Sequence, residues 1–176
     1  MRIDLSSPHA RRTKALGVRL GRLLQAGDVV CLYGDLGSGK TTLTQGLARG
    51  LGVPRGAGVR SPSFVLIHRY DGRVPIYHVD LFRLDTPGDL DDIGLHDLLD
   101  GQAVIIIEWA ERLGTLRPAS RLDVTLRYGQ EEETREITLQ PRGERYRQLM
   151  QRWQGRAGEG RARSQERNSK VHGAVG

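Results

Sequence analysis

The octapeptide GDLGSGKT at positions 34–41 decides the fold, because it matches the phosphate-binding P-loop pattern G-x-x-x-x-G-K-[ST]. Glycine lets a backbone adopt conformations that a Cβ would forbid and lets it approach a phosphate closely. The glycines of this loop are Gly34, Gly37 and Gly39. Its amides are expected to form an anion-binding nest, to which the following helix adds its positive N-terminal end.

The last two residues of the octapeptide carry side chains suited to a nucleotide. Lys40 brings a compact cation to the β- and γ-phosphates, and Thr41 presents a hydroxyl to Mg²⁺. The flanking sequence has the required order. Residues 28–33 (DVVCLY) predict a short buried strand, and residues 42–51 place leucines at helical spacing. Strand, loop and helix together favour a nucleotide-phosphate site over a chance glycine-rich turn.

The composition of the 176 residues indicates one domain, residues 1–154, followed by a basic tail, residues 155–176, that we expect to be disordered. Hydrophobic residues make up 38% and aromatic residues only 5%, which predicts an aliphatic core. The net charge of +6 divides equally between the body and the residues from 156 onward. The body shows no cluster of basic and aromatic residues typical of a nucleic-acid surface.

The same numbers set expectations about location and covalent chemistry. No apolar run approaches the roughly 20 residues of a membrane span, and the N-terminus lacks the apolar segment of a signal peptide, so we expect a cytoplasmic protein. Cys31 is the single cysteine, which predicts no disulfide partner and no thiolate metal cluster. Its place in the predicted strand before the loop indicates a small buried hydrophobic residue.

Two helical or irregular segments flank this centre. Near the N-terminus, Ser6, Ser7 and Pro8 predict the start of an amphipathic helix that ends near Gly27. After the loop helix, residues 55–63 are rich in glycine and serine and predict a mobile loop. Its hydroxyls could reach a phosphate or Mg²⁺, as in P-loop proteins with a γ-phosphate-sensing loop, or the segment could be a plain polar connector. These hydroxyls belong to Ser61 and Ser63.

Two β-rich runs, residues 64–70 and 74–82, are joined by Asp71-Gly72-Arg73, and Asp-Gly between such runs is a strong hairpin signal. Asp80 lies near the end of the second run, where an α/β sheet presents ligand-facing groups. A lone acidic residue there is also compatible with a turn or a helix cap. Residues 86–94 predict a short acidic helix.

The second decisive stretch is QAVIIIEW, residues 102–109, which predicts a buried parallel strand. Glu108 at its end stands where a P-loop protein carries the acidic residue that holds Mg²⁺ or polarises the attacking water. The alternative is that Glu108 is an acidic residue at a helix N-terminus. Glu111, three residues later, is also compatible with that role. Residues 121–128 and 134–139 then alternate as a second hairpin, and residues 144–153 predict a last short helix.

Four of these segments in register resemble the bacterial TsaE (YjeE) ATPases, accessory proteins of tRNA threonylcarbamoyladenosine biosynthesis. They are GDLGSGKTT at 34–42, SPSF at 61–64, HVDLFRL at 78–84 and IEW at 107–109. The resemblance runs in order from about residue 6 to residue 140. Two positions depart from the family pattern: Ser63 stands where threonine is frequent, and Phe82 stands where tyrosine is frequent. Serine keeps the hydroxyl, whereas phenylalanine removes any hydrogen bond from the phenol.

The resemblance implies an α/β, P-loop NTPase-like fold with a parallel central sheet flanked by antiparallel strands and helices. It implies ATP hydrolysis that is slow in the isolated protein and coupled to a complex with the partners TsaD and TsaB, with tRNA involved indirectly. Carried over by position, residues 37–42 (including Ser38 and Thr42) hold the phosphates, and Thr41 and Glu108 hold Mg²⁺. Asp80 acts near the γ-phosphate, and Trp109 shapes the site or a partner contact.

Three other functions compete with this one. A small-molecule kinase needs a substrate pocket and usually an arginine-rich lid, and no such insertion follows Asp80. A GTPase typically carries an Asn-Lys-x-Asp segment, but the single asparagine is Asn168 in the tail. A nucleotide-sensing interaction module without turnover remains open, since no catalytic arginine is evident. Such an arginine can come from a partner, and Arg83 is a candidate within the chain.

Overall fold

A computed structural model of the protein describes residues 1–84, 94–99 and 101–155. The predicted acidic helix at 86–94 and the predicted disordered tail therefore lie almost entirely outside the described residues. One mixed sheet forms the centre, with strand order β1-β7-β6-β2-β5-β4-β3. Its strands are β1 (Ile3–Ser7), β2 (Val29–Tyr33), β3 (Ile67–Asp71), β4 (Pro75–Asp80), β5 (Val104–Glu108), β6 (Arg121–Tyr128) and β7 (Arg135–Arg142).

The described helices connect and follow the strands of this sheet. They are α1 (Ala10–Gly21), α2 (Lys40–Gly50), the short α3 (Leu95–Leu98), α4 (144–155) and two 3₁₀ segments, Arg55–Ala57 and Ala110–Leu116. Among the described residues, no helix has both the length and the hydropathy needed to span a bilayer.

The sheet is parallel in its middle and antiparallel at both sides. Strands β6, β2, β5 and β4 run parallel to one another, whereas β3 pairs with β4, and β7 with both β6 and β1, in antiparallel fashion. This arrangement confirms the predicted P-loop-type α/β fold with flanking hairpins. Because parallel strands end at the same edge, the carboxyl ends of β2, β4 and β5 lie together.

Three boundaries differ from the sequence expectations. The N-terminal helix ends at Gly21, not near Gly27. The strand expected from residue 64 begins only at Ile67, because Leu66 adopts a left-handed backbone with φ 65° and its amide donates to Pro62 O at 2.6 Å. The N-terminal helix begins at Ala10 with His9 as its cap, not at Ser6 to Pro8, since residues 3–7 form β1 instead. Pairing of β1 with the distant β7 overrides the local capping signal.

The larger core lies between the sheet and helices α1, α2 and α4, and a smaller one covers the opposite face of β2 and β5. Helices α1 and α2 approach closely through glycines: a Cβ added to Gly17 would lie 2.9 Å from the Cα of Gly46. Arg73 in the β3–β4 turn donates at 2.8 Å to both Gly21 O and Gly50 O. This guanidinium holds the C-terminal ends of both helices and fixes them to the hairpin that leads to Asp80.

Candidate functional site

The candidate site lies at the carboxyl edge of the parallel strands. Strand β2 leads into the loop at 34–41 and then into α2, which begins at Lys40. Asp80 is the last residue of β4 and Glu108 the last residue of β5, and the two are register partners. Two carboxylates and the start of α2 therefore meet at one place, which agrees with the general position of ligand sites in open α/β sheets.

The backbone of the loop at 34–41 requires its glycines. Gly34, Gly37 and Gly39 have φ values of 135°, 77° and 102°, which L-amino acids with a Cβ rarely adopt. Gly39 caps α2 without a side-chain hydrogen bond, so the first amides of that helix have no side-chain partner from their cap. The Ser38 hydroxyl is buried and has no hydrogen-bond partner among the described residues. The positive φ angles of these glycines and the adjoining start of α2 are the geometry expected of an anion-binding nest.

Lys40 is buried, and its ammonium is held by its own loop. The Nζ atom donates to Gly34 O at 2.5 Å and to Asp35 O at 2.9 Å, and it lies 3.8 Å from the centroid of the Trp109 ring. Burial lowers the pKa of Lys40, while the negative charge of Glu108 acts in the opposite direction. The cation is therefore placed between the loop and the end of β5.

Glu108 is 2% exposed and accepts hydrogen bonds from three side chains. Thr41 Oγ1 donates to Oε2 at 3.0 Å, His78 Nε2 lies 2.8 Å from Oε1, and Thr44 Oγ1 lies 3.4 Å from Oε1. Positions 41 and 44 are one turn apart on α2, so both hydroxyls face β5. Sequence patterns assign no role to Thr44 or His78. The signals that could have identified them are this helical spacing and the alternation that places residues 78 and 80 on one face of β4.

Asp80, which is 2% exposed, organises the serines of the 61–63 segment. Ser63 Oγ donates to Asp80 Oδ2 at 3.1 Å, and Ser61 Oγ contacts both the same oxygen and Ser63 Oγ. The backbone amide of Phe82 donates to the other carboxylate oxygen at 3.0 Å. Asp80 is therefore not only a turn residue, because it attaches the serine segment to the edge of the sheet beside Glu108.

A cleft of about 410 Å³ joins these groups. Of the residues singled out in the sequence, it is lined by Gly37, Gly39, Lys40, Thr41, Thr42, Ser61, Ser63, Asp80, Glu108 and Trp109. Gly34 and Ser38 do not line it. Arg83 stands at its mouth, with its guanidinium 4.4 Å from the Phe64 ring centroid. The ring of Phe82 lies 5.0 Å from that of Trp109, so the aromatic residue that departs from the family pattern still packs in the wall.

A larger cleft of about 620 Å³ adjoins the loop on its other side. It shares Gly37, Gly39 and Thr42 with the first cleft and is otherwise lined by the start of α1 and the β6–β7 connection, including Thr13 and Arg135. No sequence pattern identified Thr13 or Arg135, because they come from distant segments without a motif. The smaller cleft is lined by the buried charged groups Lys40, Asp80 and Glu108, which makes it the candidate chemical centre.

The donor set of the smaller cleft fits Mg²⁺. Within the described parts of the chain, no three His, Cys, Asp or Glu residues form a cluster that could hold a metal alone. Magnesium typically takes only one or two protein oxygens and receives the rest from water and substrate phosphates. The Thr41 hydroxyl and a Glu108 carboxylate oxygen, 3.0 Å apart beside the loop, provide such a pair.

Comparisons with known proteins point to one family. The family model described as "Threonylcarbamoyl adenosine biosynthesis protein TsaE" matches residues 7–137. The chain is 41% identical over 138 residues to the tRNA threonylcarbamoyladenosine biosynthesis protein TsaE of Bacillus subtilis, covering 78% of this chain and 84% of that protein. It is 43% identical over 147 residues to the protein of that name from Streptomyces coelicolor, with 76% and 93% coverage. The crystal structure of Bacillus subtilis YdiB superimposes with a TM-score of 0.74 at 32% identity, covering 89% of this chain and 97% of that one.

Proposed function

Because this chain belongs to the TsaE family of tRNA threonylcarbamoyladenosine biosynthesis, we propose that it binds ATP and Mg²⁺ at the 34–41 loop and hydrolyses the ATP. Hydrolysis would be slow in the isolated protein and coupled to a complex with TsaD and TsaB. In that complex, in the cytoplasm, the chain would reset the modification machinery between tRNA substrates and contact tRNA only indirectly.

One observation carries the proposal: the Thr41 hydroxyl lies 3.0 Å from the Glu108 carboxylate, in the cleft that also contains Lys40. The loop amides and Lys40 would hold the β- and γ-phosphates, and Thr41 and Glu108 would hold the metal ion. Bound magnesium would neutralise developing charge on the phosphate oxygens. Lys40 would exchange its bonds to Gly34 O and Asp35 O for bonds to phosphate, without moving to another part of the cleft.

Asp80 supports the hydrolytic part of the proposal. It is a buried carboxylate beside Glu108, and the hydroxyls of Ser61 and Ser63 are bonded to it. A residue at this place would orient the attacking water, and the two serines would report the presence of the γ-phosphate to the rest of their loop. The larger cleft beside Gly37 and Thr42 offers room for the nucleoside.

The proposed dependence on partners follows from the state of Arg83. Its guanidinium stacks on the exposed ring of Phe64 at the mouth of the cleft. An arginine that stabilises the transferring phosphoryl group commonly accelerates hydrolysis by about 10³-fold or more. Either Arg83 reaches the phosphates when a partner covers this mouth, or the partner supplies its own arginine. Both cases give slow turnover in the isolated chain.

The test is ATP turnover by the purified protein, measured with and without TsaD and TsaB, in magnesium and in EDTA. Magnesium-dependent turnover that the two partners accelerate is the expected result. If labelled phosphate appears on a small molecule instead of in solution, the protein is a kinase. If ATP binds but no product forms under any condition, the chain is a nucleotide-sensing module and the hydrolytic role is wrong.

A further inference from the structure

His78 is a polar ring in a position that otherwise suits an apolar side chain. It lies in the middle of β4 and is 0% exposed. Its register partner on β5 is Ile106, and Ile76 precedes it on the same face of the sheet. Burial of an imidazole costs free energy unless its nitrogens find hydrogen-bond partners. The placement of a histidine here therefore needs a specific reason.

The only hydrogen bond of this ring within the described residues is the one to Glu108. Nε2 lies 2.8 Å from Glu108 Oε1, whereas Nδ1 is buried and has no partner in the part of the chain that the structure describes. A carboxylate oxygen accepts a hydrogen bond, so Nε2 carries the hydrogen and donates it. The ring centroid of Tyr70 lies 6.5 Å from that of His78. Within the described residues, the His78 ring therefore makes one hydrogen bond, to Glu108, and its Nδ1 makes none.

This contact distinguishes the two oxygens of Glu108. His78 is the main donor to Oε1, because the Thr44 hydroxyl is closer to Lys40 O, at 3.1 Å, than to Oε1, at 3.4 Å. Oε2 is instead bonded to Thr41, which lines the cleft. With Oε1 held from within the fold, rotation of the carboxylate is restricted and Oε2 stays beside the Thr41 hydroxyl.

We infer that His78 is a positioning residue for the metal site: its Nε2–H fixes the Glu108 carboxylate so that Oε2 and Thr41 Oγ1 together meet the magnesium ion of a bound nucleotide. The inference rests on the proposed function for the presence of that ion. Partners that orient a metal-binding side chain typically change metal affinity by about 10- to 100-fold when removed. His78 would therefore act on the metal through Glu108 without touching it.

Matched variants separate the hydrogen bond from the packing. In His78→Gln the amide nitrogen can occupy the place of Nε2, whereas in His78→Asn the amide is too short to reach Glu108, and His78→Leu removes the donor. His68 provides the control, since it lies opposite His78 on β3, bonds to the Tyr70 hydroxyl and does not contact Glu108. His68→Leu removes a ring of the same type from the neighbouring strand.

The experiment measures the affinity of each variant for ADP by calorimetry, in magnesium chloride and in EDTA, after circular dichroism has shown that it is folded. We expect magnesium to tighten ADP binding by the wild type and by His68→Leu. The gain should fall about tenfold or more in His78→Leu and His78→Asn and should be largely restored in His78→Gln. An unchanged gain in His78→Asn, or a His78→Gln variant as weak as His78→Asn, overturns the inference.

Two further results keep this inference separate from the proposed function. If magnesium does not tighten ADP binding even by the wild type, the proposed function fails. In the nucleotide-free protein, NMR of ¹⁵N-labelled histidine should show a slowly exchanging Nε2–H signal of His78 that shifts in Glu108→Gln. Absence of that signal in a folded wild type contradicts the hydrogen bond and the positioning role, whatever the nucleotide measurements give.

Discussion

Two buried carboxylates flank the central strand β2, and their surroundings differ. Glu108 on β5 is the register partner of Leu32, and Asp123 on β6 is the register partner of Cys31. They are 2% and 7% exposed. Neighbouring residues of a strand face opposite sides of the sheet, so Glu108 lies on the side of α2, whereas Asp123 lies on the other side.

Asp123 is surrounded by cations. Its oxygens accept hydrogen bonds from Arg121 at 2.7 and 3.2 Å, from Arg142 at 3.0 Å and from the Tyr33 hydroxyl at 3.0 Å. Glu108 is surrounded by two threonine hydroxyls and an imidazole, and in the described part of the chain it forms no ion pair with an arginine or lysine. Asp123 is therefore neutralised within the fold, whereas Glu108 is hydrogen-bonded but leaves its charge for a cation from outside.

Of the substitutions that test this difference between Glu108 and Asp123, the largest effect is expected at Lys40, the cation beside Glu108. Lys40→Ala should weaken ATP binding by about 100-fold or more, because the loop loses its point charge at the β- and γ-phosphates. The control is Lys14→Ala, which removes a lysine on α1 outside the cleft of Lys40 and Glu108. Fluorescence titration with a labelled ATP analogue measures both affinities. Tight binding by Lys40→Ala would defeat the assignment of the loop.

Glu108→Gln should lower magnesium-dependent turnover by about 100-fold, because the amide keeps the shape of the side chain but not its charge. ADP affinity in EDTA and the melting temperature should change little, since no arginine or lysine among the described residues depends on this carboxylate for an ion pair. Steady-state kinetics and differential scanning fluorimetry measure the two effects. Normal turnover would move the metal-binding role to another acid, with Asp80 the first to examine.

Asp123→Asn should lower stability and leave turnover unchanged, which is the opposite of the effect expected for Glu108→Gln. The free energy of unfolding should fall by about 3 kcal/mol, because two guanidinium groups lose a buried partner, while turnover of the folded protein stays near that of the wild type. Urea unfolding measures the change. Asp71→Asn breaks an exposed pair with Arg69 and serves as the control, with no measurable loss expected. If Asp123→Asn and Glu108→Gln destabilise equally, the distinction between the two carboxylates is wrong.

The sequence predicted those features that depend on local patterns. The buried strands before the loop and before Glu108, the order strand, loop, helix, and both hairpins were evident from short apolar runs and turn residues. The burial of Cys31 was predicted in the same way and is confirmed. These features need no knowledge of which strands become neighbours.

The sequence did not predict features that arise from distant pairing. Strand β1 exists because it pairs with β7, more than 120 residues away, and no local signal at residues 3–7 indicates this. The late start of β3 depends on the left-handed Leu66, an energetically unfavourable backbone conformation without a sequence signature. The contacts of His78 and Thr44 with Glu108 arise because β4, β5 and α2 are neighbours in the fold. The sequence alone does not indicate that adjacency, so it did not identify Glu108 as the partner of either residue.

The smallest effect concerns Cys31, the single cysteine, which lies beside Asp123 in the β2–β6 register. Burial, with a smaller contribution from the negative charge of Asp123, raises the pKa of its thiol to about 12, so little reactive thiolate exists at pH 8. Native wild type should therefore resist a maleimide and react fully in urea. Glu108→Gln should react as slowly as the wild type, whereas Asp123→Asn should react faster, because local opening of the β2–β6 pair becomes more frequent. The rate of maleimide reaction reports opening on the Asp123 side of the sheet. Equal acceleration in both variants would therefore show that the two carboxylates stabilise one cooperative unit and that the structural role is not confined to Asp123.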